Sequence, residues 1–219
     1  MGVKKYFVCI SGNIGAGKST VANILESVFG FKKHEEVVEN NPYLPLFYED
    51  MKKWGYKLQR YFLMTRFVSH ENISMLPHSA VQDRSIYEDM EVFAKLHIKN
   101  GNFTPEQARR YTEFCKMVYE EIKAPDLIIY LKAPVSVLKD RIKKRGREYE
   151  MDLIRLDNPY LDELQKLYDD WISRYNFGPK LVIETDKLNF VDNPDDIKTL
   201  INKIKTALMR KEKKLHKFV

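Results

Sequence analysis

The chain has 219 residues, 44% hydrophobic and 31% charged, which suits one folded domain and argues against disorder. No apolar run approaches the roughly 18 residues of a membrane-spanning helix, and no signal-peptide cleavage site follows the N-terminus, so we expect no membrane partner. The net charge of +6 originates in residues 198–219, which hold eight basic residues and one acidic residue. The remainder is nearly neutral, which argues against nucleic-acid binding.

Apolar segments alternate with longer helical patterns along the chain. Short apolar runs predict five strands, over residues 6–10, 31–36, 80–82, 126–131 and 181–184. Periodic or capped segments predict helices over residues 18–29, 54–76, 85–98, from 105 onward, from 134 to about 146, over 159–175 and from 194 onward. Strands that alternate with helices predict an α/β fold, in which a five-stranded parallel sheet is flanked by helices. We expect a single domain over residues 1–219 with a basic tail at about 210–219.

Two cysteines, Cys9 and Cys115, form neither a metal-binding pattern nor a disulfide framework. Cys9 lies in the apolar run Y-F-V-C-I, where we expect a small buried side chain. A chain without disulfides favours a reducing, cytoplasmic location.

The strongest motif is G-N-I-G-A-G-K-S-T, which joins the first predicted strand to the first predicted helix and satisfies G-x-x-x-x-G-K-[ST]. The glycines allow a tight turn whose N–H groups point at phosphate oxygens, and the helix N-terminus adds its dipole. Lys18 would reach the phosphates and Ser19 would ligate Mg²⁺. Without nucleotide, we expect Lys18 to be a solvated cation. The motif predicts ATP or GTP binding by Gly12, Asn13, Ile14, Gly15, Ala16, Gly17, Lys18, Ser19 and Thr20.

Regulatory GTPases carry a D-x-x-G switch and an N-K-x-D base reader, and the sequence has neither. A kinase of a small molecule fits the length better. Glu36 and Asp83 end two predicted strands, and the carboxyl ends of parallel strands line the ligand crevice, so both would face the phosphate loop. Arg141, Arg145 and Arg147 predict an arginine-rich lid over residues 141–152 that neutralises developing charge.

The chain resembles the deoxynucleoside kinase family, the deoxycytidine, deoxyguanosine and deoxyadenosine kinases. The resemblance spans residues 6–190 and rests on five features in the right order: G-N-I-G-A-G-K-S-T, E-V-V-E-N-N-P-Y-L, Trp54 with Gln59 and Arg66, D-R-S-I-Y-E-D, and R-G-R-E-Y-E. It implies a P-loop kinase fold, a homodimer, and ATP and Mg²⁺ as cofactors. The implied activity transfers the γ-phosphoryl group of ATP to the 5′-hydroxyl of a deoxynucleoside for nucleotide salvage.

The resemblance also implies roles for single residues on the donor side. Lys18 belongs to the catalytic set. Arg145 and Arg147 match the lid arginines that touch the ATP phosphates, and Asp186 joins the predicted ATP-binding set. Asp83 stands where many family members have Glu and, with Ser19, would hold the Mg²⁺ shell.

On the acceptor side, Glu36 matches the catalytic base that takes the proton of the 5′-hydroxyl, a role that an alcohol substrate requires. Arg84 matches the group that steadies this carboxylate. The family usually has Pro at position 37, where this chain has Val37, and Glu35 is an alternative base. The remaining matches are Tyr48 and Glu150 for the sugar 3′-hydroxyl, Gln59, Arg66 and Asp89 for the base, and Phe93 for stacking on the base.

Base choice follows from the chemistry of three side chains. Arg66 and Asp89 would form a partly buried pair near the base edge, and Gln59 can donate or accept. This set favours deoxyadenosine, then deoxyguanosine and deoxycytidine, over thymidine. Two alternatives stay open: a thymidylate-kinase-like enzyme, against which Glu36 and Glu150 argue, and a non-catalytic ATP-binding regulatory module.

Overall fold

A five-stranded sheet forms the centre of the computed structural model, which describes residues 5–34, 41–155 and 158–215. The strands are β1 (Phe7–Gly12), β2 (Lys32–His34), β3 (Ala80–Asp83), β4 (Leu127–Lys132) and β5 (Lys180–Glu184). Their order across the sheet is β2-β3-β1-β4-β5, and every neighbouring pair is parallel. The predicted five-stranded parallel sheet is confirmed.

The described helices are α1 (Lys18–Phe29), α2 (Leu44–Glu49), α3 (Met51–Met75), α4 (Lys95–Lys99), α5 (Pro105–Glu121), α6 (Val135–Arg145), α7 (Tyr160–Arg174) and α8 (Pro194–Leu215). A π-helix (Asp89–Ala94) runs directly into α4, and a 3₁₀-helix (Glu148–Ile154) follows α6. None of the described helices combines the length and hydrophobicity needed to cross a bilayer.

Most predicted elements agree with the observed ones to within a few residues, and α1 agrees at both ends. Thr104 forms the N-terminal cap of α5, in a reciprocal capping box with Gln107. The helix expected over residues 85–98 starts at Tyr87, and its central part, from Asp89, is a π-helix. Arg84, just before the predicted start, has a left-handed backbone (φ 72°), so no right-handed helix can extend through it. The segment predicted as a basic tail begins inside α8.

Alternate residues of the central strands pack against two different helical layers, as expected for a sheet covered on both faces. Val8 and Ile10 face the layer that contains α1 and α8. Cys9 faces the opposite layer, which contains α3, the π-helix, α5 and α7. Cys9 and Cys115 are buried free thiols, as predicted for Cys9, and burial raises the pKa of both.

The central position of β1 brings the phosphate loop next to β3. Ile10 of β1 is in register with Asp83 of β3, and the Arg84 N–H donates to the Ile10 carbonyl at 2.8 Å. The loop that begins at Gly12 therefore leaves the sheet beside Asp83 and Arg84. At the other end of β1, the Phe7 N–H donates to Asp126 Oδ2 and the Asp126 N–H donates to the Phe7 carbonyl, both at 2.7 Å.

This reciprocal pair predicts a stability difference between two substitutions of one residue. Asp126→Ala removes the acceptor of the Phe7 N–H and should lower the free energy of unfolding by about 1–3 kcal/mol. Asp126→Asn keeps an oxygen at that position and should retain most of the stability. Urea unfolding followed by circular dichroism measures both variants against the parent, and equal losses would contradict a role for the side-chain acceptor.

Candidate active site

The phosphate loop passes so close to its neighbours that only glycine fits at two of its turns. A Cβ at Gly12 (φ 150°) would lie 2.7 Å from the Leu131 carbonyl oxygen. A Cβ at Gly15 (φ 81°) would lie 2.9 Å from the Leu138 carbonyl oxygen. These glycines let the loop lie directly against β4 and α6. The N–H groups in the first turn of α1 face the loop. The cradle fits a triphosphate.

Lys18 is not the solvated cation that the sequence predicted. Its side chain is buried, and Nζ donates to the carbonyl oxygens of Gly12 at 2.9 Å and Asn13 at 3.1 Å. The long flexible stem lets the ammonium group fold back onto the loop, where carbonyl dipoles replace part of its hydration. Lys18 is therefore held at the loop, within reach of any phosphate bound there.

Asn13 ties the phosphate loop to α7. Its Nδ2 donates to the Leu161 carbonyl at 3.0 Å, and its Oδ1 accepts from the Ile14 N–H at 2.8 Å. The Ala16 N–H donates to the Asn13 carbonyl at 3.2 Å. The N–H groups of Ile14 and Ala16, both in the predicted phosphate-binding set, thus have their acceptors on Asn13. Asn13 therefore helps to set the conformation of the loop.

Ser19 and Asp83 meet beside the loop, as their assignment to one metal shell requires. Ser19 Oγ donates to Asp83 Oδ2 at 2.9 Å. A hydroxyl and a carboxylate are oxygen ligands of the kind that Mg²⁺ binds, with substrate phosphates and water as its other ligands. The described residues contain no cluster of three or more His, Cys, Asp or Glu side chains that could hold a metal by themselves. The chemistry fits a metal that is bound together with nucleotide.

Arg84 is buried directly after β3 and belongs to a polar network that the sequence did not reveal. Its Nη1 donates to Tyr168 Oη at 2.5 Å and to Glu88 Oε2 at 3.2 Å. Tyr168 Oη donates to the same Glu88 oxygen at 2.6 Å. Burial raises the pKa of the Tyr168 phenol well above its ordinary value, so the hydroxyl keeps its proton. One sequence signal for this network exists, because Arg84 and Glu88 are four residues apart within D-R-S-I-Y-E-D.

The three predicted base-reading residues are all buried. Arg66 of α3 is paired through Nη1 with Asp89 Oδ1, and both side chains are almost fully buried, so the expected pair is present. Gln59, also buried on α3, has an Oε1 without a hydrogen-bond partner in the described part of the protein. The Arg84 guanidinium lies 4.5 Å from the centroid of the Phe93 ring. Only the other face of Phe93 is left for stacking.

Two of the predicted lid arginines are paired with a predicted sugar-binding residue. Arg145 Nη2 is paired with Glu150 Oε2, and Arg147 Nη1 lies 3.6 Å from Glu150 Oε1. Glu150 is buried, whereas both arginines are partly exposed. The structure therefore brings the candidate phosphate-contacting and sugar-contacting groups together at the junction between α6 and the 3₁₀-helix.

Arg141 has different partners from the other two arginines. Its Nη1 donates to Thr185 Oγ1 at 2.9 Å and its Nη2 to the Thr185 carbonyl at 2.7 Å. Burial lowers the pKa of Arg141, and the charge of Asp186 opposes that shift. Arg141 therefore fastens the segment after β5, which includes Asp186, beside the phosphate loop, where its Nη1 also reaches the Ala16 carbonyl at 3.5 Å.

The predicted catalytic base, Glu36, lies outside the described residues, and so does its alternative, Glu35.

Tyr48 lies on α2, where its ring packs edge to face against that of Phe47, with the ring centroids 5.3 Å apart. The sequence did not predict α2, because six residues are too few to show a helical period.

Comparison with known proteins agrees with this geometry. Residues 8–209 match the family model for deoxynucleoside kinases. The chain is 35% identical to the deoxyadenosine/deoxycytidine kinase of Bacillus subtilis over 213 residues, covering 96% of this chain and 97% of that protein. It is 37% identical to the deoxyguanosine kinase of Lactobacillus johnsonii, covering 92% of each.

A solved structure of deoxyadenosine kinase from M. mycoides with bound dATP superimposes with a TM-score of 0.78 at 30% identity. The superposition covers 91% of this chain and 99% of that chain. Both the sequence match and the shared architecture extend over nearly the whole protein, and they argue against a thymidylate kinase or a non-catalytic module. This chain therefore belongs to the deoxynucleoside kinase family and is an ATP-dependent kinase of nucleosides.

Proposed function

We propose that this enzyme phosphorylates deoxynucleosides at the 5′-hydroxyl, with deoxyadenosine preferred, then deoxyguanosine or deoxycytidine. The buried Arg66–Asp89 pair, with Gln59 buried on the same helix as Arg66, carries this proposal. Asp89 accepts from an exocyclic amino group, and Arg66 donates to a ring nitrogen or a carbonyl oxygen. Thymine would place its 5-methyl group against this charged pair. The relatives include deoxyadenosine/deoxycytidine, deoxyguanosine and deoxyadenosine kinases, which supports a deoxynucleoside as the substrate.

On the donor side, ATP would occupy the phosphate loop. Lys18 would exchange the carbonyl oxygens of Gly12 and Asn13 for phosphate oxygens. Arg145 and Arg147 would neutralise the charge that develops during transfer. Ser19 and Asp83 would hold Mg²⁺, which supplies charge neutralisation at the phosphates.

On the acceptor side, Glu36 would accept the proton of the 5′-hydroxyl and Arg84 would steady the reacting oxygen. Tyr48 and Glu150 would bind the 3′-hydroxyl. Glu150 is already paired with two arginines, so the same carboxylate would contact both the sugar and the lid. The base would stack on the face of Phe93 opposite Arg84.

A substrate panel tests the proposed activity. With ATP and Mg²⁺, we expect the parent enzyme to phosphorylate deoxyadenosine with a higher kcat/KM than the other three deoxynucleosides and to leave dTMP unchanged. Lys18→Met keeps the aliphatic stem but removes the charge at the phosphates, and turnover should fall below detection. Lys95→Met, which removes an exposed lysine paired with Asp170, should match the parent. Phosphorylation of dTMP alone would refute the proposal.

The Arg66–Asp89 pair predicts how base choice can be altered. Asp89→Ala leaves the buried Arg66 charge uncompensated and should cost more activity toward deoxyadenosine than the double variant Arg66→Met/Asp89→Ala costs toward thymidine. The double variant makes the pocket apolar and larger, so the thymidine-to-deoxyadenosine ratio of kcat/KM should rise at least about tenfold, roughly 1.4 kcal/mol. Steady-state kinetics of the parent, both single variants and the double variant measure the ratio. An unchanged ratio in an active double variant would make the pair structural.

We also propose that the enzyme is a cytoplasmic homodimer that pairs through α3 and α5. The Tyr111 hydroxyl donates to the Gln59 carbonyl at 3.3 Å and joins the two helices. Apolar side chains are exposed on both helices, namely Met64 and Val68 on α3 and Phe114 and Met117 on α5. A second copy of the chain would bury this apolar face. The free thiols of Cys9 and Cys115 support a reducing compartment.

The dimer proposal predicts a change of mass on charging this face. Met64→Glu/Met117→Glu should convert the dimer to a monomer, because four carboxylates would be buried in a two-fold interface. Met209→Glu places a charge on an equally exposed methionine of α8 and should leave the dimer intact. Sedimentation equilibrium measures all three proteins. A monomeric parent would contradict the proposal.

A further inference from the structure

Glu88 is a fully buried carboxylate that accepts four hydrogen bonds. Oε1 accepts from the Ser11 hydroxyl and from the Ser85 N–H, both at 2.7 Å. Oε2 accepts from Tyr168 Oη at 2.6 Å and from Arg84 Nη1 at 3.2 Å. Burying a carboxylate is costly unless it is paired and hydrogen-bonded, and these four donors meet its acceptor capacity. A carboxylate that is held by four donors can in turn fix the position of a side chain that binds to it.

Arg84 is the residue that needs an anchor. It is the one non-glycine residue with a positive φ in the described part of the chain, and a left-handed backbone costs about 1–3 kcal/mol unless the surroundings hold it. Glu88 accepts from the Arg84 side chain and from the next backbone N–H, at Ser85, so it holds both sides of this turn. The Phe93 ring supports the guanidinium from a third direction.

We propose that Glu88 is a positioning residue that fixes the Arg84 guanidinium for phosphoryl transfer. The inference rests on the role of Arg84 under the proposed function. Glu88 also bonds Ser11, which immediately precedes Gly12 of the phosphate loop. The one carboxylate therefore connects the end of β1, from which the donor loop leaves, to the arginine on the acceptor side. A shift of about 1 Å in a positioned group can cost on the order of 10² in rate.

An isosteric substitution isolates this role, because each Glu88 oxygen receives one group that can only donate. The Ser85 N–H points at Oε1, and Arg84 Nη1 points at Oε2. In Glu88→Gln, the amide NH₂ must face one of these donors in either orientation. Glu88→Gln therefore keeps the volume of the side chain but breaks the arrangement around Arg84.

Steady-state kinetics with deoxyadenosine and ATP test the proposal. We expect Glu88→Gln to lower kcat about 10- to 100-fold while KM for ATP stays within about threefold, because the phosphate loop is intact. Glu91→Gln is the matched control on the adjoining π-helix, since Glu91 is partly exposed and contacts Arg174. It should keep the parent kcat. A Glu88→Gln enzyme with the parent kcat would overturn the proposal.

A double-mutant cycle separates positioning from a general structural role. If Glu88 acts through Arg84, adding Glu88→Gln to Arg84→Met should lower kcat by less than about twofold more. A full further loss would overturn the proposal. If Arg84→Met alone keeps the parent kcat, the role of Arg84 under the proposed function fails as well. Loss in Arg84→Met without loss in Glu88→Gln refutes this inference alone.

A second pair of variants serves if Glu88→Gln does not fold. Tyr168→Phe keeps the ring that stacks on Tyr130 but removes the hydroxyl shared by Arg84 and Glu88. Its kcat should fall about 3- to 10-fold. Tyr119→Phe loses a tyrosine hydroxyl bonded to the Tyr87 carbonyl, away from Arg84, and should keep the parent kcat. Equal kcat values in the two variants would overturn the proposal.

Discussion

The close approach of the phosphate loop to β4 and α6 is the constraint around which the rest of the site is arranged. At Gly12 and Gly15, carbonyl oxygens of Leu131 and Leu138 occupy the space that a side chain would need. The loop cannot move toward or away from the sheet without losing this contact. Because β1 is the middle strand, the loop has β4 on one side and β3 on the other. Asp83 and Arg84, at the end of β3, are thereby fixed relative to the loop.

The two helical layers contribute differently to this site. The layer with α1 and α8 is an ordinary apolar core beneath the nucleotide loop. The opposite layer contains the buried pairs Arg66–Asp89 and Arg84–Glu88. Buried ion pairs seldom add to stability in comparison with apolar side chains of similar volume, although breaking one by removing a single partner is costly. The opposite layer thus gives up some stability, and what it gains is a defined set of buried donors and acceptors.

Local patterns in the sequence were enough for the sheet, the phosphate loop and α1, because each depends on residues within a few positions of one another. The rule for parallel strands also brought Asp83 to the loop, where it meets Ser19. The network around Glu88 could not be predicted in this way, since its partners Ser11 and Tyr168 are 77 and 80 residues distant along the chain. The fold of Lys18 back onto the loop likewise depends on a carbonyl geometry that no pattern encodes.

The contacts of Glu150 and the role of Glu36 mark the limits of the same approach. The cluster of Arg and Glu residues around Gly146 predicted a lid. It did not predict that Arg145 and Arg147 would both pair with the buried carboxylate of Glu150. Which of several acids an arginine selects depends on side-chain reach and burial. Glu36 remains a prediction from chemistry and resemblance.

The π-helix at Asp89–Ala94 changes the direction in which the residues before and after it face. Its hydrogen bonds close over one residue more than those of an α-helix, so the faces before and after it are rotated relative to a regular helix. Asp89, at its start, points to Arg66, while Leu96 and His97, after it, are buried in the core. A regular α-helix of the same length could direct Asp89 to Arg66 or direct Leu96 and His97 into the core, but it could not do both. The length of this segment, more than its composition, therefore couples the position of the Arg66–Asp89 pair to the packing of the protein.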